Sequence, residues 1–414
     1  MILVSVTMLP LLSGAPAGAD NDVAGKVVAG YQGWFACAGD GTPLGDAGRW
    51  VHWSRGAAPA PGGQTFELWP DVRDFGPSHT YPTAYAGLGN GQAAHLFASD
   101  QQFTVDTHIK WMREYGIDCA AVQRFGGELK DPAHARQRNG VTALVRDACE
   151  KHGRKFYIMY DVSGWTNFSS EIKPDWTEVI VHRQHFTSSS AYARQNGKPV
   201  VCLWGFGFQD HPGDPAQCLE IIHWFQSQGC YVIGGVPTYW RTSDHDSKSG
   251  FLPVYNAFDM LSPWTVGRFS GKAGADNYKK NVLLADAAYC KAHKIAYQPV
   301  VFPGFAWSNW NGGPRNAIPR LHGDFLWEQF ANLRSAGIRS AYVAMFDEFD
   351  EGTAIAKAAE DASMAPTDQY FLTLDADGVH VSSDFYLRLT GDGGRMLQGK
   401  APLRWTCPTS FTMP

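Results

Sequence analysis

The sequence predicts an α/β fold, a (β/α)8 TIM barrel with a long N-terminal loop excursion and a C-terminal extension. Three observations carry this prediction. From Thr104 onward, apolar strand-like runs alternate with amphipathic helical runs, a repetition that builds parallel strands. Counting the β-rich run at residues 26–35, there are eight such strands, and eight parallel strands can close into a sheet without exposed edges. Neither a GxGxxG nor a P-loop follows the early strands, which weighs against the alternative, a doubly wound open sheet.

Each element has its own signal. Residues 1–19 read as a signal peptide: an apolar run from Ile2 to Leu12 leads to the small-x-small pattern Ala17-Gly18-Ala19, although a basic start is missing. The first strand, 26–35, ends in glycines and aromatics and delivers Tyr31, Gln32 and Trp34 to a surface. Residues 36–100 are rich in Gly, Pro and Trp and lack helical periodicity; a loop of that length is expected to serve a site as one wall of a cleft. Strands follow at 118–125, 155–164, 199–208, 230–240, 257–267, 295–305 and 338–347. Helices are expected at 104–115, 137–152, 176–196, 214–228, 273–293, 323–336 and 352–361. Asp214-Pro215 opens one helix, and Gly116, Gly153, Gly197, Gly229 and Gly337 close others. The barrel then spans 20–361. Residues 362–414, with an expected hairpin around Asp375–Gly378 and a helical 384–398, are too few for a robust separate domain and are expected to pack on the barrel.

Composition narrows the function. A net charge of -5, with no block of like charges among 414 residues, leaves no electrostatic footprint for nucleic acid. No stretch past the leader is long and apolar enough to span a membrane. Aromatics reach 13%, with 15 Trp, and such rings in loops are platforms for the apolar faces of sugars. The eight cysteines show no zinc-like spacing; Cys119, Cys202 and Cys230 read as buried thiols, with a disulfide at Cys37 or Cys407 left open.

The residues just past each strand should share one barrel mouth. Tyr31, Gln32 and Trp34 are joined there by Gln123, Arg124, Tyr160, Asp161, Trp204, Tyr239, Trp240, Arg241 and Trp264, and finally by Asp347, Glu348, Asp350 and Glu351. Asp347 and Glu348 directly continue an apolar strand and would be partly desolvated, unlike acids at a solvated helix start. Carboxylates among stacking rings are the means of glycosidic bond cleavage. Glu348 and Glu351 converge only if the chain turns between them, since residues three apart on a strand face opposite sides. Asp244-His245-Asp246 reads as a polar loop rather than a metal site, Asp375-Ala-Asp377-Gly378 lacks the later ligands of a calcium loop, and no G-x-S-x-G elbow is present.

Several segments carry a resemblance: Gly30–Phe35, Trp204–Phe208, Gly235–Arg241, Ser262–Gly267 and, most specifically, Met345-Phe-Asp-Glu-Phe-Asp-Glu-Gly-Thr353. Across roughly residues 25–400 the chain resembles the glycoside hydrolase family 71/99-like group, whose bacterial members often carry the label xylosidase/arabinosidase. Family 99 comprises endo-acting α-mannosidases and α-mannanases whose last strand ends in Trp-Asn-Glu-Trp-His-Glu-Gly, onto which Phe346–Gly352 falls without a gap. The resemblance implies that Glu348 acts on the sugar 2-hydroxyl, favouring a 1,2-anhydro intermediate, and that Glu351 is general acid and then base. Family 71, the α-1,3-glucanases, ends the same strand with an Asp and a Glu at that spacing. The chain departs from family 99 at Asp347, Phe349 and Asp350, residues that shape the sugar subsite.

The resulting expectation is a secreted or periplasmic glycoside hydrolase acting on an α-linked oligosaccharide or polysaccharide. It would be a monomer needing no cofactor or metal, with Glu348 and Glu351 catalytic and the remaining mouth residues substrate-binding. One rival is a non-catalytic carbohydrate-binding protein on a degenerate barrel. Another is a metal-dependent hydrolase or esterase, with Asp244 or His245 converging on the acids.

Overall fold

The computed structural model describes residues 20–412 except Ala57. The signal-peptide expectation therefore lies outside the described residues. Nine strands run in one mostly parallel curled sheet: β1 Val27–Tyr31, β2 Cys119–Phe125, β3 Lys155–Asp161, β4 Lys198–Trp204, β5 Tyr231–Val236, β6 Met260–Pro263, β7 Ala296–Tyr297, β8 Val300–Val301 and β9 Ala341–Val343. From one end to the other the order is β7-β6-β5-β4-β3-β2-β1-β9-β8, and every pairing on this path is parallel. A two-residue strand, Arg194–Gln195, adds an antiparallel edge to β4. The architecture is α/β and consistent with a TIM-like barrel.

The strands form because they are Val-, Ile-, Ala- and Tyr-rich runs buried on both faces, as parallel strands under helices must be. The principal helices are α1 Gln102–Glu114, α2 Pro132–His152, α3 Phe168–Pro174, α4 Pro215–Ser227, α5 Gly271–Tyr278, α6 Leu284–His293, α7 Asp324–Ser335 and α8 Phe385–Leu397. Their starts follow the sequence signals: Asp214 accepts from the Gln217 N–H in a full capping box at α4, and Asp131 caps α2 ahead of Pro132. Two helices continue with π-helical turns, α3 into Asp175–Arg183 and α5 into Lys279–Leu283.

Two expected elements are absent. Residues 352–361 form no helix; Ile355 N–H donates to Met345 O (3.0 Å) and Ala356 N–H to Phe346 O (2.9 Å), so the chain doubles back on the end of β9. Its alanines (Ala354, Ala356, Ala358, Ala359) are buried. They are small because the backbones lie close, and their helix propensity is overridden. The hairpin expected near 375–378 is also missing: Leu372 N–H donates to Glu67 O (2.7 Å) and Leu374 N–H to Ala359 O (2.9 Å), longer-range partners than the local turn offers. The helix expected at 384–398 is present as α8.

The 36–100 excursion wraps over the acid-bearing loop. Glu67 and Leu68 N–H groups both donate to Phe349 O (3.0 and 3.1 Å), and Asp71 N–H donates to Lys357 O (3.1 Å). Trp53 stacks on Phe35 and packs near Phe97 and Phe349, giving this irregular segment an aromatic core of its own. The cysteines are free thiols, all buried but Cys407, which is half-buried.

Candidate active site

After β9 the chain turns sharply. Gly352, at φ +61°, takes a left-handed conformation that a side chain would strain, and Thr353 and Ala354 N–H groups donate back to Glu348 O (3.1 and 3.0 Å). This turn between the two glutamates brings both onto one cleft of about 160 Å³, lined also by Gln32, Trp34, Gln123, Phe125, Met159, Asp161, Trp204, Trp264 and Met345. Trp204 and Trp264 meet edge to face at 5.3 Å between ring centres.

The other two acids lie behind the cleft. Asp347, fully buried, accepts the backbone N–H of Gln32 (2.7 Å) and of Gly33 (2.9 Å), which fixes the end of β1 against the acid loop. Asp350 Oδ2 lies 2.7 Å from Nδ1 of His52, whose ring stacks on Trp34 at 3.8 Å. The Gln32 side-chain amide donates to Glu348 Oε2.

Burial governs the charges. Desolvation lifts Asp347 to about 6 against the pull of its two N–H donors, and lifts Glu351 to about 7. Glu348 is pushed well above the usual carboxylate range by desolvation, then by Glu351 and Asp350. Desolvation, then Glu351 and Asp347, does the same to Asp350, while burial holds the His52 imidazole well below its ordinary value. Both members of the His52–Asp350 contact are thus favoured uncharged. Three buried polar atoms on the cleft-lining residues have no protein partner: Gln32 Oε1, Trp34 Nε1 and Trp204 Nε1.

Of the residues expected at the mouth, Gln32, Trp34, Gln123, Asp161, Trp204, Trp264, Glu348 and Glu351 share the cleft. Tyr31 does not line it; buried, it puts its hydroxyl 3.0 Å from His108 Nδ1 and packs on Phe346. Tyr160 points the other way from Asp161, as neighbours on a strand must, and donates to Asp175 Oδ2 (2.6 Å), which also takes Arg124 Nε (2.7 Å). Trp240 is buried with its Nε1 on Asp286 (2.9 Å). Tyr239 and Arg241 line a second cavity of about 390 Å³, together with Arg268, Asp244 and His245. They sit in turns past the end of β5, and neither Asp244 nor His245 lines the acid cleft.

Sequence reasoning missed His52, Phe125, Met159 and Met345. The alternation i, i+2 supplies two of them: Gln123 selects Phe125 on β2, and Asp161 selects Met159 on β3. His52 has no local signal beyond its place in a loop expected to serve a site.

No protein-family model matches this sequence, and comparison with curated proteins gives no significant match. Solved structures do match. A GH99 endo-alpha-mannosidase from Bacteroides thetaiotaomicron superposes with a TM-score of 0.64 at 16% identity, covering 92% of this chain and 100% of that one. A second such structure, with bis-tris-propane bound, gives 0.63 at 16% identity over 91% and 98% of the two chains. A glycoside hydrolase-like protein gives 0.50 at 14% identity over 92% and 97%. At these identities the likeness is one of fold.

Proposed function

We propose that this protein is a glycoside hydrolase, secreted or periplasmic and acting as a monomer, that cleaves an α-linked glycan with Glu348 and Glu351. The carrying observation is that these two carboxyls, three residues apart, face one ring-lined cleft because the chain turns over residues 349–352. The unpartnered Gln32 Oε1, Trp34 Nε1 and Trp204 Nε1 support a hydroxyl-rich ligand, which offers donors and acceptors to each. The GH99 structural neighbours are endo-alpha-mannosidases, which agrees with this reading.

The scaffold we infer is a closed (β/α)8 barrel over 20–361 with 362–414 packed on it. β7 pairs with β6 and β8 pairs with β9, while only Gln298 and Pro299 separate β7 from β8. Read as two halves of one strand, they join the two ends of the sheet. Pro299, lacking an N–H, accounts for the break.

In the reaction, Glu351, at about 7, is still substantially protonated at neutral pH and gives its proton to the glycosidic oxygen as the bond to C1 breaks. Glu348 acts in its ionised form, which burial and the neighbouring acids disfavour and the Gln32 amide hydrogen bond favours; that form takes the proton of the 2-hydroxyl, whose oxygen closes on C1. Water then adds to C1, losing its proton to Glu351, and the sugar oxygen recovers its proton from Glu348. Asp347 and Asp350 act as positioning residues, one holding β1 and the other holding the excursion through His52.

The test is hydrolysis of aryl α-glycosides and of plant, fungal and bacterial polysaccharides, by the parent and by Glu348→Gln and Glu351→Gln. Cleavage lost in both variants is expected. Sugar binding by the parent without cleavage of any substrate would instead identify a carbohydrate-binding protein. Activity abolished by chelators and retained in both variants would point to a metal-dependent enzyme.

A further inference from the structure

The loop after β8 carries two exposed indoles, Trp307 (36% exposed) and Trp310 (41%), on a segment bolted in place. Ala306 N–H donates to the backbone oxygen of Glu351 (2.9 Å), so Trp307 follows directly on a residue bonded to one of the proposed catalytic pair. Glu67, fully buried, reaches out of the excursion to accept from Ser308 Oγ (2.7 Å) and Asn309 N–H (2.9 Å). The Asn309 amide in turn donates to Phe66 O (3.0 Å) and Tyr370 O (2.9 Å), and Arg55 donates to Trp310 O. Trp307 rests against Phe305 at 5.3 Å, and a Cβ on Gly313 would come within 3.1 Å of its indole.

Single exposed apolar rings are ordinary on a protein surface, so what sets these two apart is how they are held. These two are neither covered nor loosely held. A buried carboxylate, itself pushed upward by desolvation, is spent on fixing the segment that displays them. Rigid rings lose little conformational freedom on binding and so suit stacking on flat apolar faces such as those of pyranose rings.

We propose that Trp307 and Trp310 form a sugar-stacking platform for the glycan on the leaving-group side of the scissile bond, so that the substrate extends beyond the unit that departs first. This rests on the glycosidase reading. If Glu351 protonates the leaving oxygen, the units beyond that oxygen lie on the Glu351 side of the cleft, where Ala306 anchors the indole loop. Residues in the cleft grip the unit that reacts, and the platform grips the units that depart.

Two measurements test this with Trp307→Ala, Trp310→Ala and the double variant, each first shown to melt at the parent's Tm. On the best polysaccharide of the panel, the double variant is expected to raise KM about ten-fold with kcat nearly unchanged, while kcat/KM on a short aryl α-glycoside stays at the parent's value. An unchanged KM on the polysaccharide, or an equal loss on both substrates, overturns the platform and leaves the glycosidase reading standing. Isothermal titration of Glu351→Gln with oligosaccharides of the same glycan reads the platform without turnover. Affinity that rises with chain length, and loses that rise when both indoles are removed, supports it; affinity indifferent to the indoles, or no binding, overturns it. A parent that cuts no glycan fails the glycosidase reading by itself.

Discussion

At the scale of single residues, the site is a problem in keeping acids uncharged until they are needed. Glu351 is raised to about 7 by desolvation, so catalysis requiring its proton should decline as pH climbs through that value. Glu351→Gln is expected to lower kcat by about 10²–10⁴-fold and to abolish that alkaline limb, which a pH–rate profile checks. Around it, His52 does a different job. Its ring stacks on Trp34 and its Nδ1 meets Asp350, whose Oδ1 has no partner among the described residues. His52→Phe keeps the stack and strands the carboxyl, for an expected loss of about 1–3 kcal/mol of stability by urea titration; no change in midpoint would contradict the role. The acid pair was legible in the sequence, because charge at the end of an apolar strand is conspicuous. His52 was not, because nothing near position 52 signals a contact with position 350. Tyr160 was misread because two neighbours on one strand were both assigned to the mouth, although only Asp161 has the right parity.

At the scale of elements, strands and helices with their own punctuation were readable, α4 and α2 by their caps and β2 and β3 by their apolar runs. Segments whose hydrogen bonds go to distant partners were not. Residues 352–361 look helical by composition and instead retrace the end of β9. Helix α8 shows the same logic from the other side. It contains Gly391, Gly393 and Gly394, poor helix formers, and packing requires them: a Cβ on Gly391 would stand 2.2 Å from Tyr115 O and one on Gly393 2.6 Å from the Phe330 ring. Gly391→Ala, which local propensity alone would favour, is therefore expected to destabilise the protein by about 1–3 kcal/mol in chemical denaturation. A stabilised variant would show that the approach of α8 to the carbonyl is slack.

At the scale of the whole molecule, gathering carboxyls with raised proton affinity sets how stability depends on pH. Between the unfolded carboxylate values near 4 and the folded values of about 6 for Asp347 and about 7 for Glu351, the native state holds more protons than the unfolded chain. Stability contributed by these groups is full below that window and is lost as pH rises through it. The drop in Tm from pH 4.5 to pH 8 should be smaller in Glu351→Gln than in the parent; equal drops would refute the linkage. Glu67 ties the assembly together. Its N–H bonds the acid loop at Phe349, its carbonyl takes Leu372 N–H, and its carboxylate holds the indole loop. Insertions in a repeating scaffold are usually the parts a lineage can exchange piecemeal, because they answer only to themselves. Here one residue makes three distant segments answer to each other, so the excursion is inherited with the acid loop or not at all. Divergence among descendants of this chain should accumulate instead at the free rim, as in residues 86–93, and spare position 67.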